Sequence, residues 1–379
     1  MIYLDHAATS QPRPEALQAM WPFLTERFGN PSSVHERGAE TAEAMEQARS
    51  VIAELTGFAA NDVVVTSGGT EADNLAIIGL ALANPRGRHL VSARTEHEAV
   101  LQSLAALHDQ HGFEISWLEL TSDGTVTPDA LRAALRPDTT LLSLMLVNNE
   151  VGTVQPIAEL AAIAHSIGAL VHCDAVQGAG WLPLSDLGVD ALSLSGHKVG
   201  APQGVGAAII RSRLAVHALQ LGGGQQRGRR SGTENVPGAV ALAAALALAE
   251  RDRRAGAAER VAIVRDRLID GVLAALPEAR LTGPITPSQR AAQLASFVFE
   301  RVSGEAMLLE LERRGVICSS GSACAAGSTE PSHVLLALGL SPELAHTAVR
   351  FSLGLETTEA DIEHTIWAVS DAARTLLGS

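Results

Sequence analysis

Val63-Val64-Val65-Thr66-Ser67-Gly68-Gly69-Thr70-Glu71 reads as a strand, a glycine turn and the opening of a helix. The β-branched run suits a strand buried on both faces. The glycines break it, and apolar residues at helical spacing then carry a helix from about Glu71 to Ala83. The same unit recurs outward along the chain. Leu90-Val91-Ser92 precedes a helix from about Glu96. Leu141–Val147 precedes a loop, Asn148-Asn149-Glu150, and a helix opening near Pro156, where proline suits the first turn. Ala169–Cys173, Ala191–Leu194 and Val205–Ile210 read as further strands. Short apolar strands alternating with longer amphipathic segments predict an α/β fold with a mostly parallel central sheet flanked by helices.

Composition shifts near Glu250–Arg260, which marks a domain boundary inside or between long helices. Beyond it come a strand at Ser296–Phe299, a helix around Gly304–Arg314, a strand at Gly315–Cys318 and a Gly/Ser-rich loop to Ser328. A strand at Ala348–Leu353 and a terminal helix from about Thr358 complete a smaller α+β domain. The expected division is a large domain over residues 15–255, with 1–14 and 256–379 forming the small one. A chain of 379 residues is long enough for two such cores. With 46% hydrophobic and 18% charged residues it is an ordinary globular composition. A formal charge of −14 argues against nucleic acid or an anionic membrane as the main partner. No apolar run reaches the length of a membrane span, and Met1–His6 has no signal-peptide pattern. Three cysteines without a Cys-x-x-Cys pair disfavour a disulfide framework or a structural zinc. A cytoplasmic, reduced protein with no metal site is expected; His108-x-x-His111 reads as a solvated helix end.

Lys198 is the only lysine, every other member of the 28 Lys+Arg being arginine. Arginine stays protonated, whereas lysine can lose its proton and form an imine. Ser195-Gly196-His197-Lys198 follows a strand, so the amine can reach a pocket at the sheet edge; a solvated surface lysine is the bland alternative. Asp174, at the end of another strand, can pair with a protonated pyridine nitrogen or cap a helix, and Gln177 lies close enough to bond a ring oxygen. Together Lys198, Asp174 and Gln177 point to pyridoxal 5'-phosphate (PLP). Strand alternation puts His172 and Asp174 on one face and Cys173 on the other, where it reads as core. Ser67–Glu71 offers backbone N–H groups and a hydroxyl at a helix N-terminus, a phosphate cradle. Cys324 sits amid the small residues of Ser319–Gly327, as a reactive thiol on a pliant arm or as a buried small hydrophobe, a part that Cys318 fits better. His97 can lie over a ring face or simply satisfy a helix start. Arg350 can clamp a carboxylate bidentately or serve a structural ion pair.

These segments resemble the cysteine desulfurases of the NifS/IscS group, in the class V aminotransferase family of fold type I PLP enzymes, over almost the whole chain. The resemblance runs through Tyr3–Thr9, Gly29-Asn30-Pro31-Ser32-Ser33-x-His35, Thr66–Asn74, Glu96-His97 and Val147–Gly152. It continues through Asp174-x-x-Gln177, Ser195–Lys198, Arg230–Thr233, Ser319–Cys324 and Arg350–Gly354. It implies that Lys198 holds PLP, Asp174 pairs with the ring nitrogen, Gln177 bonds the ring oxygen and His97 stacks on the ring and takes part in proton transfer. It also implies that Gly69, Thr70, Ser195 and His197 hold the phosphate, with Thr233 reaching the phosphate of a partner subunit in a homodimer. Asn149, which would also touch the cofactor, and Arg350 would receive the carboxylate of L-cysteine. Cys324 would take its sulfur as a persulfide, for a sulfur-acceptor protein in iron–sulfur cluster assembly or in tRNA or cofactor thiolation. His6 stands where asparagine is usual, Gly69 where alanine is frequent, Gln225-Gln226 where His-Glu is common and Leu355 where arginine often follows the glycine. A selenocysteine lyase or an aminotransferase of the same fold is the nearest alternative, and Cys324 separates the second from a desulfurase. A non-catalytic, partner-binding member of the fold is the alternative of a different class.

Overall fold

A computed structural model describes residues 1–320 and 330–378. Its strands are β1 (Ile2–Tyr3), β2 (Val63–Thr66), β3 (His89–Ser92), β4 (Glu114–Trp117), β5 (Thr139–Met145), β6 (Leu170–Asp174), β7 (Ala191–Ser195), β8 (Gly206–Ile210), β9 (Ala279–Leu281), β10 (Leu294–Phe299), β11 (Val316–Ile317) and β12 (Ala348–Ser352). The central sheet runs in the order β2-β8-β7-β6-β5-β3-β4. β3 to β7 are parallel, and β8 lies antiparallel to both β7 and β2. The sheet is therefore mostly parallel, as the strand–helix alternation predicts, with one reversed strand.

Period-2 alternation divides the apolar runs between two packed faces. Val63, Val65, Leu192, Leu194 and Ile209 enter one core, while Val64, Ala191, Ala208 and Ile210 enter the other. Helix Gly69–Ala83 covers the second face, and helices Pro14–Thr25 and Glu36–Thr56 pack against Val236–Arg254. A third core joins Leu4 to residues between Val261 and Ala373, around Phe297, Phe299 and Phe351. It lies between the antiparallel sheet β12-β10-β9 and helices Ala257–Ala275, Gly304–Arg313 and Glu359–Leu377.

Several boundaries differ from the sequence reading. Helix Gly69–Ala83 starts at Gly69 instead of Glu71, because the glycine itself supplies the first turn. β5 ends at Met145, since Leu146 N–H donates to Asp174 O (2.8 Å) and Val147 bridges Val154. β11 holds only Val316 and Ile317, the two residues that β1 can pair. Gly206 is needed where β8 meets the turn after β2: a Cβ there would lie 2.6 Å from the Gly68 carbonyl carbon and from Leu194 O.

Candidate active site

In parallel sheets ligands bind beyond the carboxyl ends of the strands. Register places Met145, Asp174 and Ser193 side by side near those ends of β5, β6 and β7. A cleft of about 580 Å³ opens there, and Gly69, Thr70, His97, Asn149, Asp174, Gln177, Ser195, His197 and Lys198 all line it. Residues scattered from 69 to 198 converge because each follows a strand of one sheet.

Lys198 ends the turn Gly196–Lys198 that continues β7. Its Nζ donates to Ala7 O and to Ala8 O (2.8 Å). The Gln177 amide also donates to Ala7 O (2.9 Å), and Ser10 N–H and Oγ both donate to His197 O (2.8 and 2.7 Å). The N-terminal segment thus closes over the lysine. His197 shares a hydrogen bond with Thr9 Oγ1 (3.2 Å), and burial, with Lys198 beside it, pulls its pKa down to about 4. The ring is therefore neutral at pH 7.

Asp174 is buried, and its Oδ1 accepts Val176 N–H (2.9 Å). Burial raises its pKa, while His97, this N–H and Lys198 act against the rise. His97 fills the helix-start part: its Nδ1 caps helix Glu98–His111 by accepting Ala99 N–H (3.1 Å), and the residue also lines the cleft.

At the other end of the cleft, the first internal bond of helix Gly69–Ala83 runs from Ala72 N to Gly68 O (3.2 Å). The N–H groups of Gly69, Thr70 and Glu71 therefore precede the helical ladder. A Cβ on Gly69 would lie 2.9 Å from Val176 Cγ2 and 3.3 Å from Ser195 Cβ, so the helix start packs closely on the ends of β6 and β7. N–H donors at the helix start suit an anionic phosphate; a carboxylate at one end and an amine between suit a pyridine aldehyde. The donor set fits pyridoxal phosphate.

Other candidates stand elsewhere. Arg350 on β12 is 2% exposed; its Nη1 donates to Asn149 O (2.9 Å), its Nη2 pairs with Asp5 Oδ1 (2.8 Å), and its Nε is buried without a partner among the described residues. It is not among the residues lining the cleft. Thr233 is exposed and also outside that lining. Cys324 lies outside the described residues. The chain on either side of it is fastened to the site. Ser319 exchanges two backbone bonds with Arg350 (3.1 and 2.6 Å), Ser332 Oγ donates to Glu150 Oε2 (2.5 Å), and His333 Nε2 bonds Glu96 O (2.9 Å). Cys173 is fully buried, with its thiol pushed well above the usual range by burial and by the neighbouring carboxyls. Cys318 packs on the third core, and burial raises its thiol too.

The sequence reading missed Asp73 and Glu96, two buried acids near Asp174. The available signal was helical spacing, since Asp73 falls one turn after Thr70 on the same face.

Residues 2–365 match the family model "Aminotransferase class-V". A cysteine desulfurase IscS of Dictyoglomus turgidum is 45% identical over 370 residues, covering 96% of this chain and 92% of that protein. A solved "NIFS-like protein" superposes with a TM-score of 0.91 at 32% identity, covering 99% of this chain and all of the other. "SspA in complex with cysteine" gives a TM-score of 0.80 at 31% identity, covering 94% of this chain and all of the other.

Proposed function

The chain belongs to the aminotransferase class-V family as one of its PLP-dependent cysteine desulfurases, and from that membership we propose how its residues divide the work. Residues 15–255 form the cofactor-binding domain, and residues 1–14 and 256–379 the domain that brings Cys324 to it. The net reaction moves the sulfur of L-cysteine to Cys324. The substrate Cβ–S bond breaks and an S–S bond forms, while Cβ takes a proton and the electron pair to leave L-alanine.

PLP, when bound, withdraws electrons from the substrate Cα. Lys198 would hold its aldehyde carbon, Asp174 its ring nitrogen and Gln177 its ring oxygen. The Gly69 and Thr70 N–H groups, the Thr70 and Ser195 hydroxyls and His197 would hold the phosphate. Thr233, exposed on its loop, would serve the phosphate site of a second subunit in a homodimer. The carboxylate of L-cysteine goes to Asn149 and Arg350, which already touch each other. Once exchanged away from Ala7 O and Ala8 O, the Lys198 amine takes the Cα proton. His97, half-buried over the same cleft, assists that transfer. Cys324 attacks the substrate sulfur as a thiolate. A sulfur-acceptor protein then takes the persulfide onward, to iron–sulfur clusters or to thiolated tRNA and cofactors.

The convergence of Lys198 and Asp174 at neighbouring strand ends carries this reading. Borohydride reduction of the holoenzyme followed by peptide mass analysis is expected to find a pyridoxyl group on Lys198. An unmodified Lys198 peptide from yellow, fully loaded protein would overturn it.

A further inference from the structure

Three carboxyl groups converge beneath the cleft, and the reaction uses one. Asp174 ends β6, Asp73 lies in helix Gly69–Ala83, and Glu96 lies between β3 and helix Glu98–His111. Asp73 and Glu96 are each 1% exposed. Among the described residues, Asp73 Oδ1 and Glu96 Oε2 are buried without a hydrogen-bond partner, although the Ser193 hydroxyl faces the Asp73 carboxyl and Glu96 Oε1 accepts Met145 N–H (3.0 Å). The base nearest Asp73 is His172 Nε2 on β6, at 3.6 Å. That ring is already engaged, through Nδ1 with Ser143 Oγ and through Nε2 with Ser193 Oγ (2.9 Å each). An ionised carboxylate in such surroundings is expensive. Asp174 alone has the setting for charge, because Val176 N–H reaches it and Lys198 and His97 face it across the cleft.

We propose that Asp73 and Glu96 are positioning residues which stay uncharged at neutral pH and so confine the negative charge beneath the cleft to Asp174. This rests on reading Asp174 as the partner of the ring nitrogen. Burial, with Asp174 adding to it, pushes both acids well above the ordinary carboxylate range. Burial also pulls His172 down to about 3, so it offers neither of them a counter-charge. The layer under Asp174 is then a row of neutral groups: Asp73, Ser193, His172 and Ser143. A charge on Asp73 or Glu96 would repel the charge on Asp174, favour its protonation and remove the counter-ion that the ring nitrogen needs.

The test is infrared spectroscopy of the holoenzyme at pH 7 in the carbonyl region of protonated carboxylic acids, with H/D exchange to identify the bands. Wild type is expected to show such bands, one missing in Asp73→Asn and another in Glu96→Gln. Both variants keep cofactor affinity within about threefold, while Asp174→Asn loses about 10- to 100-fold. Absence of these bands from wild type would overturn the proposal without any variant. So would cofactor release by Asp73→Asn or Glu96→Gln matching that of Asp174→Asn, since it would mean that the acids act as charges. Retention of cofactor by Asp174→Asn would instead overturn the role given to Asp174, leaving the infrared result on Asp73 and Glu96 standing.

Discussion

On the large-sheet side of the cleft, Asp174 and Lys198 stand at the ends of strands buried along most of their length, with acids behind them whose buried oxygens lack hydrogen-bond partners among the described residues. On the small sheet, Arg350 is equally buried but is held by Asp5 and by the Asn149 carbonyl. Buried charge is handled by protonation on one side and by pairing on the other. The first solution suits a group that must keep one charge in one place for a bound ring. The second would suit the part proposed for Arg350, because a substrate carboxylate could take over hydrogen bonds that Asp5 already accepts.

The strongest way to break this contrast is to disable one side at a time. Lys198→Arg keeps a cation and removes imine chemistry, and is expected to cut desulfurase turnover by at least about 10³-fold, with loss of the yellow chromophore. Cys324→Ala is expected to abolish sulfide release just as fully while leaving that chromophore and the cofactor affinity unchanged. If both variants lose the chromophore, the two sides are not separable.

Asp5→Asn tests the paired side. Leaving Arg350 without its counter-charge is expected to lower apoprotein stability by about 1–3 kcal/mol, discounted because Asp5 is partly exposed. A denaturant midpoint that does not move would show that Asp5 contributes nothing to holding Arg350.

The pH dependence of stability sharpens the protonated side. His172 is held down to about 3, so the unfolded chain takes up a proton near the ordinary value of 6.5 that the fold refuses. That contribution is present above 6.5 and is lost as pH falls toward 3. Asp73 has the opposite sign. Its raised pKa makes the fold retain a proton that the unfolded chain releases above 3.8, so stability is full below that value and declines as pH rises. From pH 6.5 to about 4, His172→Asn is expected to lose less stability than wild type; as pH rises above about 4, Asp73→Asn is expected to lose less. Parallel curves in thermal unfolding would refute both assignments.

The smallest effect concerns the fastening of the Cys324 segment. Ser332 Oγ donates to Glu150 and accepts Leu335 N–H (3.1 Å) at a helix start. Ser332→Ala is expected to cost about 1 kcal/mol and to slow sulfide release severalfold with an unchanged cofactor spectrum. An altered spectrum would mean that Glu150 acts on the cofactor side instead.

Much of the site was legible in the sequence because each group follows a strand. Thr70, His97, Asn149, Asp174 and Lys198 sit just beyond apolar runs, and parallel strands gather their carboxyl ends at one edge. Asp73 gave no such signal, since an acid one helical turn past a glycine cradle reads as an exposed helix residue until the sheet buries it. Arg350 offered two readings, and the sequence could not choose between them: its partner Asp5 lies 345 positions away.

The residues themselves determine which chemistry is available. A single lysine able to form an imine, small residues at the start of a helix and alternating apolar runs are local properties that any copy of this chain carries. Tertiary structure decided the charge state of those residues. Only packing sets β6 beside β7, brings Asp73 and Glu96 within electrostatic reach of Asp174 and closes the N-terminal segment over Lys198. The cost of burying a charge depends on surroundings supplied by distant segments, so the state of Asp174 cannot be read from its neighbours in sequence.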